Sequence, residues 1–123
     1  MKYIFIFAIY LNLCISSVYA AGLPKSILDK VPGMNSVQLY TFEAIRIMNE
    51  IEVEAERRNI KVRDYNRDPL FACIKNMLQA TFSPEDIRTM LLEPPGMDYA
   101  YYDKRIPILM NKISKKCIPI LDR

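Results

Sequence analysis

Two cysteines constrain this chain most strongly, because each of them belongs to a pattern typical of an amphipathic helix. Cys73 lies between Leu70 and Met77 among apolar residues at three- and four-residue spacing, and Cys117 ends a similar series that begins at Ile106. In an oxidising compartment we expect these two cysteines to form a disulfide, which would restrict the unfolded chain by about 4 kcal/mol on the chain-entropy argument. Two free thiols, or cross-links to another chain, are the alternatives.

The first residues of the chain indicate such a compartment. Lys2 is followed by an apolar run over residues 3–13, and the short residues Val18 and Ala20 stand at the positions that signal peptidase requires. We therefore predict a secretory signal peptide over residues 1–20, with cleavage one residue later as the alternative. An uncleaved membrane anchor is disfavoured, because the run falls well short of the roughly 20 residues that a bilayer core requires.

Removal of this segment leaves residues 21–123, a length typical of a single domain, and predicts an extracellular product. The segment carries Lys2 and Cys14 with it, so two cysteines remain and the formal net charge of +3 falls by one. Such a small charge gives no indication of a nucleic-acid partner. The remaining chain contains no other apolar run of membrane length, so we expect no membrane span after cleavage.

A short helix and a long helix are predicted in the first half of the mature chain. The short one covers residues 25–31, and the long one begins at Asn35 or Ser36 and runs to about Arg57. The end of the long helix also alternates as a strand does, so a β-hairpin within residues 50–63 is the alternative. The predicted buried stripe of the long helix consists of Val37, Tyr40, Ala44, Ile47, Met48, Ile51 and Ala55, widened by Leu39, Phe42 and Ile45.

Three further helices are predicted after residue 67. Asp68 and Ser83 each precede a proline, which is typical of a helix start. The breaker at residues 94–96 ends the middle helix, and the last helix has Pro107 in its first turn and ends before Pro119. The fold class is therefore all-α: a small bundle or orthogonal array of four main helices plus a short N-terminal helix, stapled by one disulfide.

The residue types needed for most enzyme chemistry are missing. The chain contains no histidine, which excludes Ser-His and Cys-His nucleophile pairs and the commonest zinc ligand. Its three glycines, Gly22, Gly33 and Gly96, form no phosphate-binding loop. Carboxylates one turn apart, such as Glu50 and Glu54, belong to a set of five glutamates that is most simply the solvated face of the long helix. We predict that the protein is not an enzyme and has no cofactor and no metal site.

The sequence favours a small secreted interaction protein that binds another macromolecule, such as an extracellular effector, a venom or saliva component, or a signalling factor. Its most basic segment is a candidate docking surface for an acidic partner, and a solvated connection between helices is the alternative. This basic segment comprises Arg57, Arg58, Lys61 and Arg63.

An extracellular carrier of a small apolar ligand is the first alternative function. Methionines and aromatic residues would provide an adaptable lining for a cavity between helices. The residues predicted to line it are Phe71, Met77, Met90, Met97, Tyr101 and Tyr102. For the tyrosines the simpler interpretation is that their rings seal a helix junction.

A prohormone-like precursor is the second alternative function. Three dibasic pairs occur in the chain, at residues 57–58, 104–105 and 115–116. Cleavage after Arg105 would leave two peptides joined by the predicted disulfide.

Overall fold

The computed structural model describes residues 23–123, so the predicted signal peptide lies outside the described residues. Within this part the chain is mostly helical and forms no strand, which confirms the all-α class and excludes the hairpin. The α-helices of residues 23–123 are α1 (Lys25–Leu28), α2 (Ser36–Arg57), α3 (Asp64–Thr81), α4 (Pro84–Leu92) and α5 (Tyr99–Lys116). Short 3-10 helices occupy Val31–Gly33 and Ile118–Asp122.

The start of α2 is fixed by a capping box. The Asn35 side chain accepts a hydrogen bond from the Gln38 amide at 2.9 Å, and the Gln38 side chain accepts one from the Asn35 amide, also at 2.9 Å. These two bonds satisfy amides that the first helical turn leaves without partners. The predicted start and end of the long helix are therefore confirmed, and the chain leaves it through Asn59 at a positive φ of 58°.

The start of α3 differs from the prediction. The helix begins at Asp64 rather than at Asp68, and Pro69 lies inside it, where a proline leaves one helical carbonyl without its N–H donor. A tertiary contact supports the additional turn, because the hydroxyl of Tyr65 donates a hydrogen bond to the carbonyl of Arg123 at 2.9 Å. The proline signal predicted the existence of the helix correctly and its first residue wrongly.

The predicted start of α4 at Ser83 is confirmed by a second capping box. The Ser83 hydroxyl accepts from the Asp86 amide and the Asp86 carboxylate accepts from the Ser83 amide, both at 3.1 Å. The helix ends at Leu92, and the next residue, Glu93, has a left-handed φ of 45° that turns the chain into the proline-rich breaker.

The last helix begins earlier than the sequence predicted. Asp98 caps α5 by accepting a hydrogen bond from the Tyr101 amide at 3.3 Å, so Pro107 lies in the middle of the helix and not in its first turn. The segment after α5 is also structured. It forms the second 3-10 helix, in which Ile118 and Ile120 are buried in the core.

The disulfide between Cys73 and Cys117 is present and joins the middle of α3 to the end of α5. The two Cα atoms lie 5.5 Å apart, within the range that a disulfide requires. Cys117 is fully buried and Cys73 packs against the edge of the core. The bridge therefore stabilises the contact between two helices far apart in the sequence.

A single apolar cluster lies between the helices. α3 contacts α2 on one side and α5 on another, and α2 also contacts α4. The largest fully buried side chains in this cluster are Phe82, Leu39, Ile51, Leu70, Ile74, Leu78, Ile87, Met90, Leu91, Ile106 and Leu109. None of the helices in residues 23–123 has the length and apolar character needed to cross a membrane.

Candidate functional site

The most unusual surface of the described chain is the solvent-facing side of α2. A row of residues at four-residue spacing, which we call the outer row, consists of Val37, Thr41, Ile45, Asn49 and Val53. Val37 is 62% exposed, and Ile45 and Val53 are each 46% exposed. No member of the row is charged. On an ordinary surface helix this side would carry charged and polar residues.

A charged residue lies on the opposite, buried side of the same helix. Glu43 is 0% exposed and lies between Leu39 and Ile47, which are also buried. Its carboxylate accepts a hydrogen bond from the Arg46 guanidinium at 3.1 Å. The first half of α2 therefore buries one carboxylate among apolar residues and leaves the side chains of Val37 and Ile45 exposed.

Burial changes the acidity of Glu43. Removal from water raises the pKa of this carboxyl from 4.5 to about 7, and the nearby Arg46 guanidinium opposes that rise only in part. Burial of an ionised group in a core is costly unless it is paired. The folded chain therefore bears the cost of burying Glu43, while Val37, Ile45 and Val53 remain exposed.

This arrangement corrects two predictions about the long helix. Val37 and Ile45 were expected on or beside the buried stripe, but both are exposed, whereas Leu39 is fully buried. The glutamates were expected to form a solvated face, but Glu43 and Glu54 are buried. Apolar residues occur almost all around the first half of α2, so periodicity alone does not determine which side the neighbouring helices cover.

No charge signal in the sequence identifies the outer row as exposed. Positions 37, 41, 45, 49 and 53 are uncharged before the row reaches Arg57, whereas the buried row through Leu39 and Ile47 contains Glu43. A comparison of the rows by charge would therefore have predicted that the wrong row is buried.

The charge of the predicted basic docking surface is compensated in part by the chain itself. The Arg57 and Arg58 side chains both lie near the carboxylate of Glu54, with N–O distances of 2.7 and 3.8 Å. Arg63 donates to the hydroxyl of Tyr65 and to the C-terminal carbonyl. These partners reduce the positive potential that a free basic surface would present to an acidic partner.

Lys61, the remaining member of the basic segment, lines a surface pocket of about 470 Å³ between the end of α2 and the start of α3. Acidic residues dominate its other charged walls, including Glu52, Glu56 and Asp64. None of the six residues predicted for an apolar cavity lines this pocket. Within residues 23–123, acidic and cysteine side chains form no cluster suited to holding a metal ion.

The residues predicted for an apolar cavity belong to the core and its margin. Met90 and Tyr102 are buried, and the other members pack against the core while partly exposed; they are Phe71, Met77, Met97 and Tyr101. The carrier function stays a prediction, and uptake of an apolar fluorophore by the purified protein would test it.

The two adjacent tyrosines at the start of α5 join that helix to the start of α4. The hydroxyl of Tyr101 lies 3.3 Å from one carboxylate oxygen of Asp86, and that of Tyr102 lies 3.5 Å from the other. The guanidinium of Arg105 stacks on the ring of Tyr101 at 3.6 Å. These contacts match the interpretation that the rings seal a helix junction, and both hydroxyls bond to the carboxylate of Asp86.

The dibasic pairs all lie in or at the end of helices. The pair at 104–105 is inside α5, where Arg105 also donates to the Tyr101 carbonyl at 3.1 Å. The pair at 57–58 lies at the end of α2, and the pair at 115–116 in the last turn of α5. The precursor function stays a prediction, and the intact mass of the secreted protein tests it directly.

Comparisons with protein families, with curated proteins and with solved structures find no match to this chain. The outer row of α2 is therefore the feature of the described chain from which a function is inferred.

Proposed function

We propose that this chain is a small secreted, non-enzymatic interaction protein whose binding surface is the outer row of α2. Residues 1–20 act as the signal peptide, and residues 21–123 form one helical domain in which the helices pack as a small bundle. The partner is an extracellular macromolecule that covers the outer row with an apolar surface of its own.

The observation that supports this proposal is the exposure of three apolar side chains, Val37, Ile45 and Val53, along α2. The cores of protein–protein interfaces are depleted in charged residues, as the outer row is. Exposed apolar residues that stand alone are normal on a protein surface, but contiguous ones indicate an interaction site. The partly exposed Phe42 and Met48 lie beside Ile45 and extend the apolar character of the row.

The basic segment is a weaker candidate for the same role. Arg57 and Arg58 already have a carboxylate partner in Glu54, so an acidic partner would have to compete with an interaction inside the chain. Exposed ion pairs contribute little to binding energy compared with buried apolar contacts.

Site-specific photo-cross-linking tests the proposal. A photo-reactive phenylalanine analogue is placed at position 45 in the secreted protein, which is then irradiated in its native extracellular fluid. The matched control carries the analogue at position 108, because Ile108 is 50% exposed on α5 and Ile45 is 46% exposed on α2. We expect a discrete cross-linked product from position 45 that position 108 does not give. Equal products from both positions, or no product from position 45, would overturn the proposed function.

A further inference from the structure

The positive charge of α5 is concentrated on one side of the helix. Five lysine and arginine residues occur between Tyr99 and Lys116, against a single acidic residue, Asp103. At about 3.6 residues per turn the five basic residues project within an arc of about 120°, and Asp103 projects about 100° outside that arc. We call this side the α5 basic face, and it consists of Lys104, Arg105, Lys112, Lys115 and Lys116.

The α5 basic face points into solvent. Lys104, Lys115 and Lys116 are exposed, and Ile108, which projects within the same arc, is 50% exposed. The face extends for about 18 Å along the helix, given a rise of about 1.5 Å per residue. It is therefore long enough to contact several charges of an extended partner at once.

The charge of this face is not compensated by ion pairs. Within residues 23–123, the arginines that pair with carboxylates belong to α2, α3, α4 and the turn after α2, and none of the cations of α5 forms such a pair. In the basic segment, by contrast, Arg57 and Arg58 have Glu54 as a partner. The α5 basic face therefore offers an acidic partner more uncompensated charge than the basic segment does.

Two of the five cations are oriented by uncharged partners. The guanidinium of Arg105 stacks on the Tyr101 ring at 3.6 Å and donates a hydrogen bond to the Tyr101 carbonyl at 3.1 Å. The ammonium of Lys112 lies 3.3 Å from the hydroxyl of Thr81 on α3. These contacts order the two side chains and leave their charge unneutralised, so that less side-chain entropy is lost when an anion binds.

A linear polyanion matches this arrangement. Sulfate and carboxylate groups that repeat along a chain can each meet a separate lysine or arginine, and binding releases their counterions. A membrane surface matches it less well, because an interfacial helix buries a broad apolar face, whereas here lysines flank the exposed Ile108 on both sides. Because a signal peptide is predicted, the linear polyanions that the protein would meet are those of the extracellular space.

We propose that the α5 basic face binds a sulfated polysaccharide that lies along the helix from Lys104 to Lys116. This site lies on a different helix from the outer row and adds a class of ligand that the proposed function does not include. The dissociation constant is expected to be about 1–100 µM at physiological salt and to rise as salt is added.

Titration with a heparin-derived oligosaccharide of a single length tests the site. The wild-type protein, secreted from its full sequence, is compared with Lys104→Gln/Lys115→Gln, which removes one charge near each end of the face. This variant is expected to weaken binding by at least about tenfold and to reduce the slope of log Kd against log salt by about two. The matched control is Lys25→Gln/Lys30→Gln, which removes the same charge from two exposed lysines outside α5 and is expected to weaken binding by less than about twofold.

Acetylation of the wild-type protein locates the site without any substitution. When the oligosaccharide is bound, mass spectrometry is expected to show protection of Lys104, Lys115 and Lys116, while Lys25 and Lys61 keep the reactivity that they have in the free protein. The same oligosaccharide with its sulfates removed is expected to protect none of them. Far-ultraviolet circular dichroism confirms that each variant keeps its helices.

Several outcomes would overturn the proposal. Equal losses of affinity in the two double variants, or protection of Lys61 without protection of Lys115, would show that α5 is not the site. Failure of the wild-type protein to bind the oligosaccharide, or equal binding of the desulfated form, would exclude a sulfated polysaccharide, as would binding only to vesicles that contain phosphatidylserine.

These outcomes are separate from those of the proposed function. Photo-cross-linking at position 45 reports on the outer row and is expected to be the same in Lys104→Gln/Lys115→Gln as in the wild-type background. Treatment of the extracellular fluid with heparinase before irradiation removes polysaccharide from the neighbourhood of position 108, so that this position remains a valid control.

Discussion

Ile45 and Ile108 are exposed to nearly the same degree, 46% and 50%, but their surroundings differ. Along α5 the residues one turn before and after Ile108 are Lys104 and Lys112, so this isoleucine is surrounded by charge. Along α2 the corresponding neighbours of Ile45 are Thr41 and Asn49, and the row continues to a valine at each end. α5 therefore exposes an isoleucine between two lysines, and α2 exposes an isoleucine between two uncharged residues.

The two helices are also held in place differently. α5 is joined covalently to α3 through the disulfide, whereas α2 contains no cysteine and is held by packing against α3 and α4. The disulfide restrains α3 and α5 in the unfolded chain, and the proposed function assigns binding to α2.

Removal of the disulfide is expected to have the largest effect on the difference between how α5 and α2 are held in place. The double variant Cys73→Ala/Cys117→Ala is expected to lower the free energy of unfolding by about 4 kcal/mol, because the unfolded chain regains the entropy of an open loop. Urea denaturation followed by circular dichroism measures the change. A loss below about 1 kcal/mol would show that packing alone holds α5 as firmly as it holds α2.

Truncation of two isoleucines within α2 tests the assignment of its two sides. Ile51 is fully buried, so Ile51→Ala is expected to lower the free energy of unfolding by about 3 kcal/mol. Ile45→Ala is expected to change it by less than about 0.5 kcal/mol. Ile108→Ala is the matched control for an exposed isoleucine. Similar losses at positions 45 and 51 would contradict the exposure of the outer row.

The buried carboxylate of Glu43 predicts a smaller, pH-dependent effect. Its pKa is raised in the folded protein from 4.5 to about 7, so the folded state holds this proton more tightly than the unfolded state. The contribution of protonated Glu43 to the free energy of unfolding is fully present below pH 4.5 and is lost as the pH rises through 7. Glu43→Gln removes this titrating group. Between those pH values the free energy of unfolding of the variant is therefore expected to fall by roughly 2–3 kcal/mol less than that of the wild-type protein.

The measurement is a series of urea denaturation curves from pH 4 to pH 8 for the wild-type protein and two variants. Glu50→Gln, at an exposed glutamate of the same helix, is the control and is expected to follow the wild-type profile. If the Glu43→Gln variant shows the same pH dependence as the wild-type protein, then Glu43 does not hold a proton in the folded state.

Local sequence signals predicted much of the fold. The capping side chains of Asn35 and Ser83 predicted two helix starts correctly, since a cap acts on amides only two or three residues away. The cysteine pattern also predicted the disulfide, because both cysteines belong to apolar series that face a common core. The helix starts depend on residues close in the sequence. The disulfide depends on the small number of cysteines available to pair.

The remaining features depend on contacts between distant segments. α3 begins a turn earlier than its proline signal predicts, at a point where Tyr65 bonds to the carbonyl of Arg123. α5 begins before Pro107, at a point where Tyr101 and Tyr102 reach Asp86. Hydrophobic periodicity describes residues within one helix. It does not predict these contacts, because the partners are separated by many residues in the sequence.

The sequence by itself determined that this chain is helical, which helices it forms and which cysteines join them. Only the tertiary structure decided which side of α2 faces water, because its first half carries apolar residues on almost every side. α3 and α4 cover the side that contains Glu43 and leave the side that contains Ile45 exposed. The physical reason is that the hydrophobic effect is non-directional. The positions of the neighbouring helices therefore determine which apolar residues of α2 are buried.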